Sequence, residues 1–257
     1  MTFDFTGKRV LVTGASHGIG AAVAAAFADA GADLAILSST ADILDVGRSL
    51  SEASGRPVAA EICDITDRAA VRRVVGGLGR LDVLVNNAGL ELITPILEPG
   101  DAVERTFERV IQINVVGTYY VTREAVKSMQ AGARIILTAS VWGRTAAAEF
   151  SAYVTSKHAN IGFMRVLAKE LGPLGINVNA VCPGWVKTRA ALRSLGEMSR
   201  RAGRPEQAML DDILAAQSLD GLMEPEDIVD LYLFLASDRA RSITGQAYNI
   251  DRGELQS

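Results

Sequence analysis

Short runs of β-branched and other apolar residues alternate with alanine-rich stretches of helical period along most of this chain. KRVLVT at 8–13 predicts a buried strand, and GAAVAAAFADAG at 20–31 predicts a helix stopped by Gly31. The same reading predicts further strands over 32–38, 57–64, 81–89, 133–140, 175–183 and 245–251. Between them it predicts helices that end near Glu52 and that cover 67–75, 101–129 (capped by Asp101), about 152–171, and 224–237.

The strands are apolar on both faces, and helices separate them. That combination predicts an α/β fold, a doubly wound (Rossmann-type) seven-stranded parallel sheet with helices on both sides. No linker, repeat or low-complexity tract interrupts residues 1–257, so a single domain is expected. The exception to the rhythm is 189–222, polar and poor in strand signal, which reads either as a substrate lid within that domain or as an ordinary surface helical pair.

Composition narrows the function classes. The 257 residues are 49% hydrophobic and 22% charged, with a formal net charge of -4 and no basic stripe, which argues against a nucleic-acid partner. Cys63 and Cys182 are far apart and lack metal-ligand spacing, so no metal and no disulfide framework is expected, and a reducing cytoplasm fits. No apolar run approaches about 18 residues, so no membrane span is expected, and the first residues do not read as a secretory signal.

Two patterns carry chemistry. Gly14, Gly18 and Gly20 occupy the turn from the first strand into the first helix, where glycine lets the backbone approach a pyrophosphate and the helix N-terminus offers free N–H groups. Tyr153 and Lys157 are four residues apart, one turn along a helix face. An ammonium beside a phenol favours the phenolate, so this spacing suits general acid/base work; the plainer alternative is an amphipathic pair covering apolar surface.

With NNAG at 86–89, Asn114, Ser140, YVTSK at 153–157 and CPGWVKT at 182–188, the glycine turn resembles the short-chain dehydrogenase/reductase family in its classical form, over essentially the whole chain. The resemblance implies a catalytic set of Asn114, Ser140, Tyr153 and Lys157. Tyr153 would exchange a proton with the substrate oxygen, and Ser140 would hydrogen-bond that oxygen. Lys157 would grip the nicotinamide ribose, and Asn114 would kink its helix and hold a water linked to Lys157. It implies cofactor contacts from Gly14, Ser16, His17, Gly18, Ile19, Gly20, Ser38, Ser39, Asp64, Ile65, Asn87, Ala88, Gly89, Pro183, Gly184, Val186 and Thr188, besides Tyr153 and Lys157. Asn86 is also expected near the adenosine, and Asp64 is either the acceptor of the adenine amine or a helix N-cap.

Ser38, Ser39 and Thr40 stand where an NAD-binding acid is common, His17 adds a donor in the glycine turn, and no Arg or Lys follows. NADP is therefore preferred to NAD, with Asp42 left as a residue that reaches a ribose diol. Glu91, Trp142, Arg144 and Trp185 are candidate substrate contacts, with Leu92, Val141 and Glu149 near them. Two indoles and three charged groups suit a sugar, polyol or short hydroxy acid; the plainer alternative is that Glu91, Arg144 and Glu149 are exposed rim charges. A 3-oxoacyl or polyketide ketoreductase ranks lower, since no basic cluster for an acyl carrier is seen, and a non-catalytic nucleotide sensor lower still. The expected partner is a small alcohol or ketone, in a homo-oligomer, tetramer or dimer.

Overall fold

The computed structural model describes residues 2–256. Its elements follow in the order β1 (Arg9–Thr13), α1 (Gly18–Asp29), β2 (Asp33–Ser38), α2 (Asp42–Ser54), β3 (Ala59–Ile62), α3 (Arg68–Gly77), β4 (Leu81–Asn86), α4 (Asp101–Ile111), α5 (Thr118–Ala125), β5 (Met129–Thr138), α6 (Ser151–Leu171), β6 (Asn177–Pro183), α7 (Arg189–Ala202), α8 (Glu206–Ala215), α9 (Val229–Ala236) and β7 (Ala247–Ile250). The seven strands are parallel, in the order β3-β2-β1-β4-β5-β6-β7. The expected doubly wound sheet is therefore present, and its strand order reverses between β1 and β4, where such sheets open a crevice at their C-terminal ends.

The central strands feed two cores because side chains alternate across the sheet. Val10, Val12, Leu34, Ile36, Val83 and Val85 pack with Phe27, Ile43 and Leu235 on one face. Leu11, Leu37, Leu84 and Ile135 pack with Val121, Met164 and Leu167 on the other. Burying one such side chain contributes about 1.5–3 kcal/mol, so a strand apolar on both faces is held from both sides.

The predicted helix 101–129 divides. Gly100, not Asp101, is the N-cap, with a positive φ of 102°, and Asp101 sits inside the first turn, where its charge favours the helix dipole. A π-helical turn over Gln112–Gly117 separates α4 from α5, and the chain leaves the helix at Ala125, so Met129 already belongs to β5. Helical periodicity cannot register the extra residue of a π-turn, which changes the phase but not the composition. The helix expected at 224–237 likewise begins as a 3-10 turn, Pro225–Ile228, whose capping box joins Glu224 and Asp227.

Tyr232 on α9 is fully buried, and its hydroxyl lies 3.0 Å from Thr138 Oγ1 at the end of β5. Replacing Tyr232 by Phe leaves the Thr138 hydroxyl buried without that partner. Denaturant unfolding is expected to show a loss of about 1–2 kcal/mol; an unchanged midpoint would mean the bond contributes nothing net.

Candidate active site

The crevice between β1 and β4 is closed at its base by Thr13. Its Oγ1 accepts from the backbone N–H groups of Asn87 and Ala88, both at 3.0 Å, while Asn87 Nδ2 donates to the carbonyls of Thr13 and Gly14 at 3.2 Å. Gly14 is left-handed (φ 66°), and a Cβ there would lie 2.6 Å from Ala88 Cα. At Gly20 an added Cβ would be 2.3 Å from the Gly14 carbonyl oxygen and 2.4 Å from Asn87 Nδ2. Gly20 thus serves packing between helix and strand ends and does not line the groove, whereas Gly14 and Gly18 do.

His17 is the N-cap of α1, but its side chain accepts from none of the helix N–H groups, which leaves the first-turn N–H groups to the groove. That free helix N-terminus, behind a turn with no room for a Cβ at Gly14, fits a pyrophosphate. Further along, Ser16 Oγ lies 2.9 Å from His17 Nδ1 and 3.1 Å from Ser38 Oγ, and Ser38 Oγ lies 3.5 Å from Thr40 Oγ1. A row of hydroxyls, with Ser39 beside it, lines this end of the groove. Asp42 begins α2 and lies outside that lining.

Asp64 faces the groove but is heavily engaged. Oδ1 accepts from Thr66 N (2.9 Å) and Thr66 Oγ1 (2.7 Å), and Oδ2 pairs with Arg109 at 3.3 Å. The N-cap of α3 is Asp67, which accepts from Ala69 and Ala70, so the capping alternative for Asp64 falls away. Although no basic residue follows β2 in sequence, Arg109 from the last turn of α4 enters the groove wall. Asn86, expected near the adenosine, instead points into the protein and donates to Thr122 Oγ1 at 2.9 Å.

Ser140, Tyr153 and Lys157 line one pocket, and this pocket shares Ile19, Asn87, Gly89 and Thr188 with the groove. The start of α6 is fixed from outside the helix. Thr94, fully buried, accepts from Ala152 N (2.9 Å) and Ser151 Oγ (3.0 Å), and its N–H donates to the Glu149 carbonyl (2.6 Å). The turn Val141–Gly143 presses on the same helix, where a Cβ at Gly143 would be 2.8 Å from the Lys157 carbonyl oxygen. Ser140 Oγ accepts from Trp142 N at 3.1 Å and neighbours the Tyr153 phenol, where it favours the phenolate.

The Asn114 side chain links the π-turn to both neighbours. Its Oδ1 accepts from Leu90 N at 2.7 Å, and its Nδ2 donates to the Leu90 carbonyl and to Ser156 Oγ, each at 2.9 Å. Ser156 in turn donates to the Tyr153 carbonyl at 2.7 Å. The expected kink is therefore a π-turn, and the amide orders the 90s loop and α6. A Cβ at Gly89 would lie 3.4 Å from Asn114 Oδ1 and 3.7 Å from Lys157 Nζ, ordinary contact distances, so this approach does not by itself require glycine.

Electrostatics here departs from the simple reading of the Tyr–Lys spacing. Lys157 Nζ donates to the Thr138 carbonyl at 2.7 Å and lies 5.3 Å from the centre of the Tyr153 ring. Burial pushes the Tyr153 phenol well above its ordinary value, the Glu91 carboxylate adds to this, and the Ser140 hydroxyl opposes it. Among this chain's own groups desolvation therefore outweighs the ammonium. Burial also lowers Lys157 from 10.5 to about 8, and it raises Glu91, against the pull of the Ser194 hydroxyl and the charges of Arg193 and Lys157.

Of the candidate substrate residues, Glu91, Val141, Trp142 and Trp185 line the pocket. Arg144 does not: its Nη1 donates to Asn249 Oδ1 (3.0 Å) and the Ala247 carbonyl (3.3 Å) on β7, because β7 offers acceptors outside the pocket. Glu149 (φ 68°) pairs with Arg201 of α7, which also binds Glu98 at 2.7 Å. Leu92 faces a separate hollow beside Arg193 and Arg201. Pro183, Gly184, Val186 and Thr188 form the pocket's far wall, and Thr188 caps α7 by accepting from Ala191 N at 3.1 Å. Cys63 and Cys182 are buried free thiols, and the described residues hold no cluster arranged for a metal ion. No helix among them is long and apolar enough to cross a membrane.

Residues 14–254 match the family described as Enoyl-(Acyl carrier protein) reductase. The chain belongs to the short-chain dehydrogenase/reductase family. It is 33% identical to the D-beta-hydroxybutyrate dehydrogenase of Cupriavidus necator, over 96% of this chain and 97% of that one. The L-sorbose reductase of Gluconobacter frateurii, solved with NADPH and L-sorbose, superposes with a TM-score of 0.90 at 28% identity over 100% of both chains. A short-chain dehydrogenase of Burkholderia cenocepacia in complex with NADP gives 0.84 at 33% identity, over 97% of this chain and 98% of that one.

Thr13, Thr94, Thr138, Ser156 and Arg109 complete the short-chain dehydrogenase site without a sequence signal of their own. Thr13 and Ser156 lie next to Gly14 and Lys157 in the chain; Thr94, Thr138 and Arg109 adjoin no motif residue.

The buried ammonium makes a testable demand on stability. Lowering Lys157 from 10.5 to about 8 corresponds to about 3 kcal/mol at most of destabilisation while both folded and unfolded chains hold the proton. Lys157→Met should therefore stabilise the cofactor-free protein by about 1–3 kcal/mol at pH 7 while abolishing turnover. Between pH 8 and 10.5 the unfolded wild type binds the extra proton, so wild-type stability rises and the gap should narrow. Thermal unfolding of both proteins across this range checks the sign.

Proposed function

We propose that this protein is an NADP(H)-dependent oxidoreductase that interconverts a secondary alcohol and a ketone. The observation that carries the reading is the Ser140–Tyr153–Lys157 cluster in a pocket continuous with a groove suited to a dinucleotide. Bound NADPH would supply the hydride for reduction, and NADP in its oxidised, positively charged form would accept it in the reverse direction. Tyr153 donates its proton to the substrate oxygen during reduction and removes it during oxidation. Ser140, held by the Trp142 N–H, steadies that oxygen. Lys157 anchors the ribose and carries the charge that offsets a phenolate. Asn114 holds α6 in place, and a water between it and Lys157 would return protons to solvent.

NADP is favoured over NAD by the hydroxyl row at the end of β2 and by NADPH or NADP in two solved relatives. Ser39→Asp, which sets a carboxylate in that row, should weaken NADPH binding at least 10-fold and leave NADH within about 3-fold, measured by fluorescence titration. Equal weakening of both would count against the 2′-phosphate assignment.

Substrates of two kinds occur among the relatives, a short hydroxy acid and a ketose. Helices α7 and α8, over 189–222, act as the lid, supported by Ala190 and Ala191 in the pocket wall and by the Arg201 pairs with Glu98 and Glu149. Exposed Phe107, Tyr119 and Val166 on α4, α5 and α6 support a homo-oligomer, dimer or tetramer, through these helices. The two free thiols fit a reducing cytoplasm.

Tyr153→Phe tests the whole reading: NADPH oxidation with a ketone panel should fall by about 10³-fold or more while the Kd for NADPH stays within about 3-fold. Turnover that survives the substitution sinks it.

A further inference from the structure

The pocket wall holds two side chains that carry charge, Glu91 and Lys157. Lys157 Nζ is bonded to the Thr138 carbonyl. Arg193, on α7, spends Nη2 on the main-chain carbonyl of Glu91 at 2.6 Å and lies outside the lining, and Arg201 is paired with Glu98 and Glu149. Lys157 is the one cation in that wall, already bonded to the Thr138 carbonyl and assigned to the ribose above, so the wall offers a substrate carboxylate no arginine and no second ammonium.

Glu91 itself has acceptor capacity to spare. The buried Ser194 of α7 neighbours its carboxylate and favours the charged form, and a carboxylate offers about four acceptor positions. A part-buried carboxylate with one neutral partner is costly, and a ligand that brings donors relieves that cost. Trp142 and Trp185 meet edge to face at 6.0 Å and 81°, and Trp142 stands 6.0 Å from the Tyr153 ring. Indole faces beside the phenol suit the C–H face of a hydroxylated carbon chain.

We propose that Glu91 is the specificity residue of this pocket, accepting hydrogen bonds from the hydroxyls of a neutral polyhydroxylated ketone or polyol whose C–H face packs on Trp142 and Trp185. This rests on the secondary alcohol–ketone reading above and selects among its substrates. A hydroxy acid finds no counter-charge. An unsubstituted ketone leaves the carboxylate unpaired, and a site built for a hydroxyl rejects the analogue that lacks it. Because Glu91 also holds α7 through Ser194 and Arg193, the same residue sits where the lid meets the substrate.

The test compares NADPH oxidation with L-sorbose and D-fructose, with 2-hexanone, and with acetoacetate. At least one ketose should exceed 2-hexanone and acetoacetate by about 10²-fold in kcat/KM. Glu91→Ala should remove most of that preference, lowering the ketose value at least about 10-fold more than the 2-hexanone value, and Glu91→Gln should keep part of it, since an amide oxygen still accepts. An equal fall for ketose and 2-hexanone, or acetoacetate as the best substrate, overturns the proposal. A second measurement does not need turnover: sorbitol binding to Tyr153→Phe with NADPH, followed by indole fluorescence, should weaken about 10-fold when Glu91→Ala is added. Glu91-dependent sorbitol binding without turnover in the wild type sinks the redox reading alone and supports the specificity role; binding indifferent to Glu91 sinks the specificity role.

Discussion

An ammonium kept charged inside a protein must be held by fixed dipoles, and the interior around Lys157 is arranged to hold it. The Thr138 carbonyl receives the charge directly. Thr138 is in turn fixed by its place in β5 and by the Tyr232 hydroxyl reaching across from α9. On the other side, Gly143 lets the turn after β5 press against α6 at the Lys157 carbonyl, which brings Ser140 to Tyr153. Strand, turn and helix are thus locked around one side chain, and burial lowers its affinity for the proton toward neutrality.

The parallel sheet makes this possible by collecting ends. Every strand finishes on the same side, so Gly14 after β1, Asn87 after β4, Ser140 after β5 and Gly184 after β6 meet although they are far apart in the chain. Thr13 ties the first two ends together with two accepted hydrogen bonds. The outcome is a groove with free helix amides at one end and a proton-handling cluster at the other.

Above the cluster two further elements meet. The 90s loop contributes Glu91, and α7 closes on it through Arg193, Ser194 and Arg201. Thr94 connects this loop to the first turn of α6, so the segment that carries Glu91 into the pocket also sets the position of Tyr153.

Local sequence determined a great deal: the seven strands, the glycine turn, the Tyr–Lys spacing and the hydroxyl row after β2 were all legible, because each is a short-range pattern of periodicity or residue type. Element ends at 101–129 were not, since a π-turn changes helical phase without changing composition. Arg109 reached the groove from another helix, Arg144 turned to β7, and Asn86 turned to Thr122, directions set by which acceptors the folded neighbours offer. The rise of the Tyr153 phenol, opposite to what a nearby ammonium suggests, came from burial, a property of the assembled interior. Residue spacing along a chain specifies what can meet; packing decides how much water is excluded where it does.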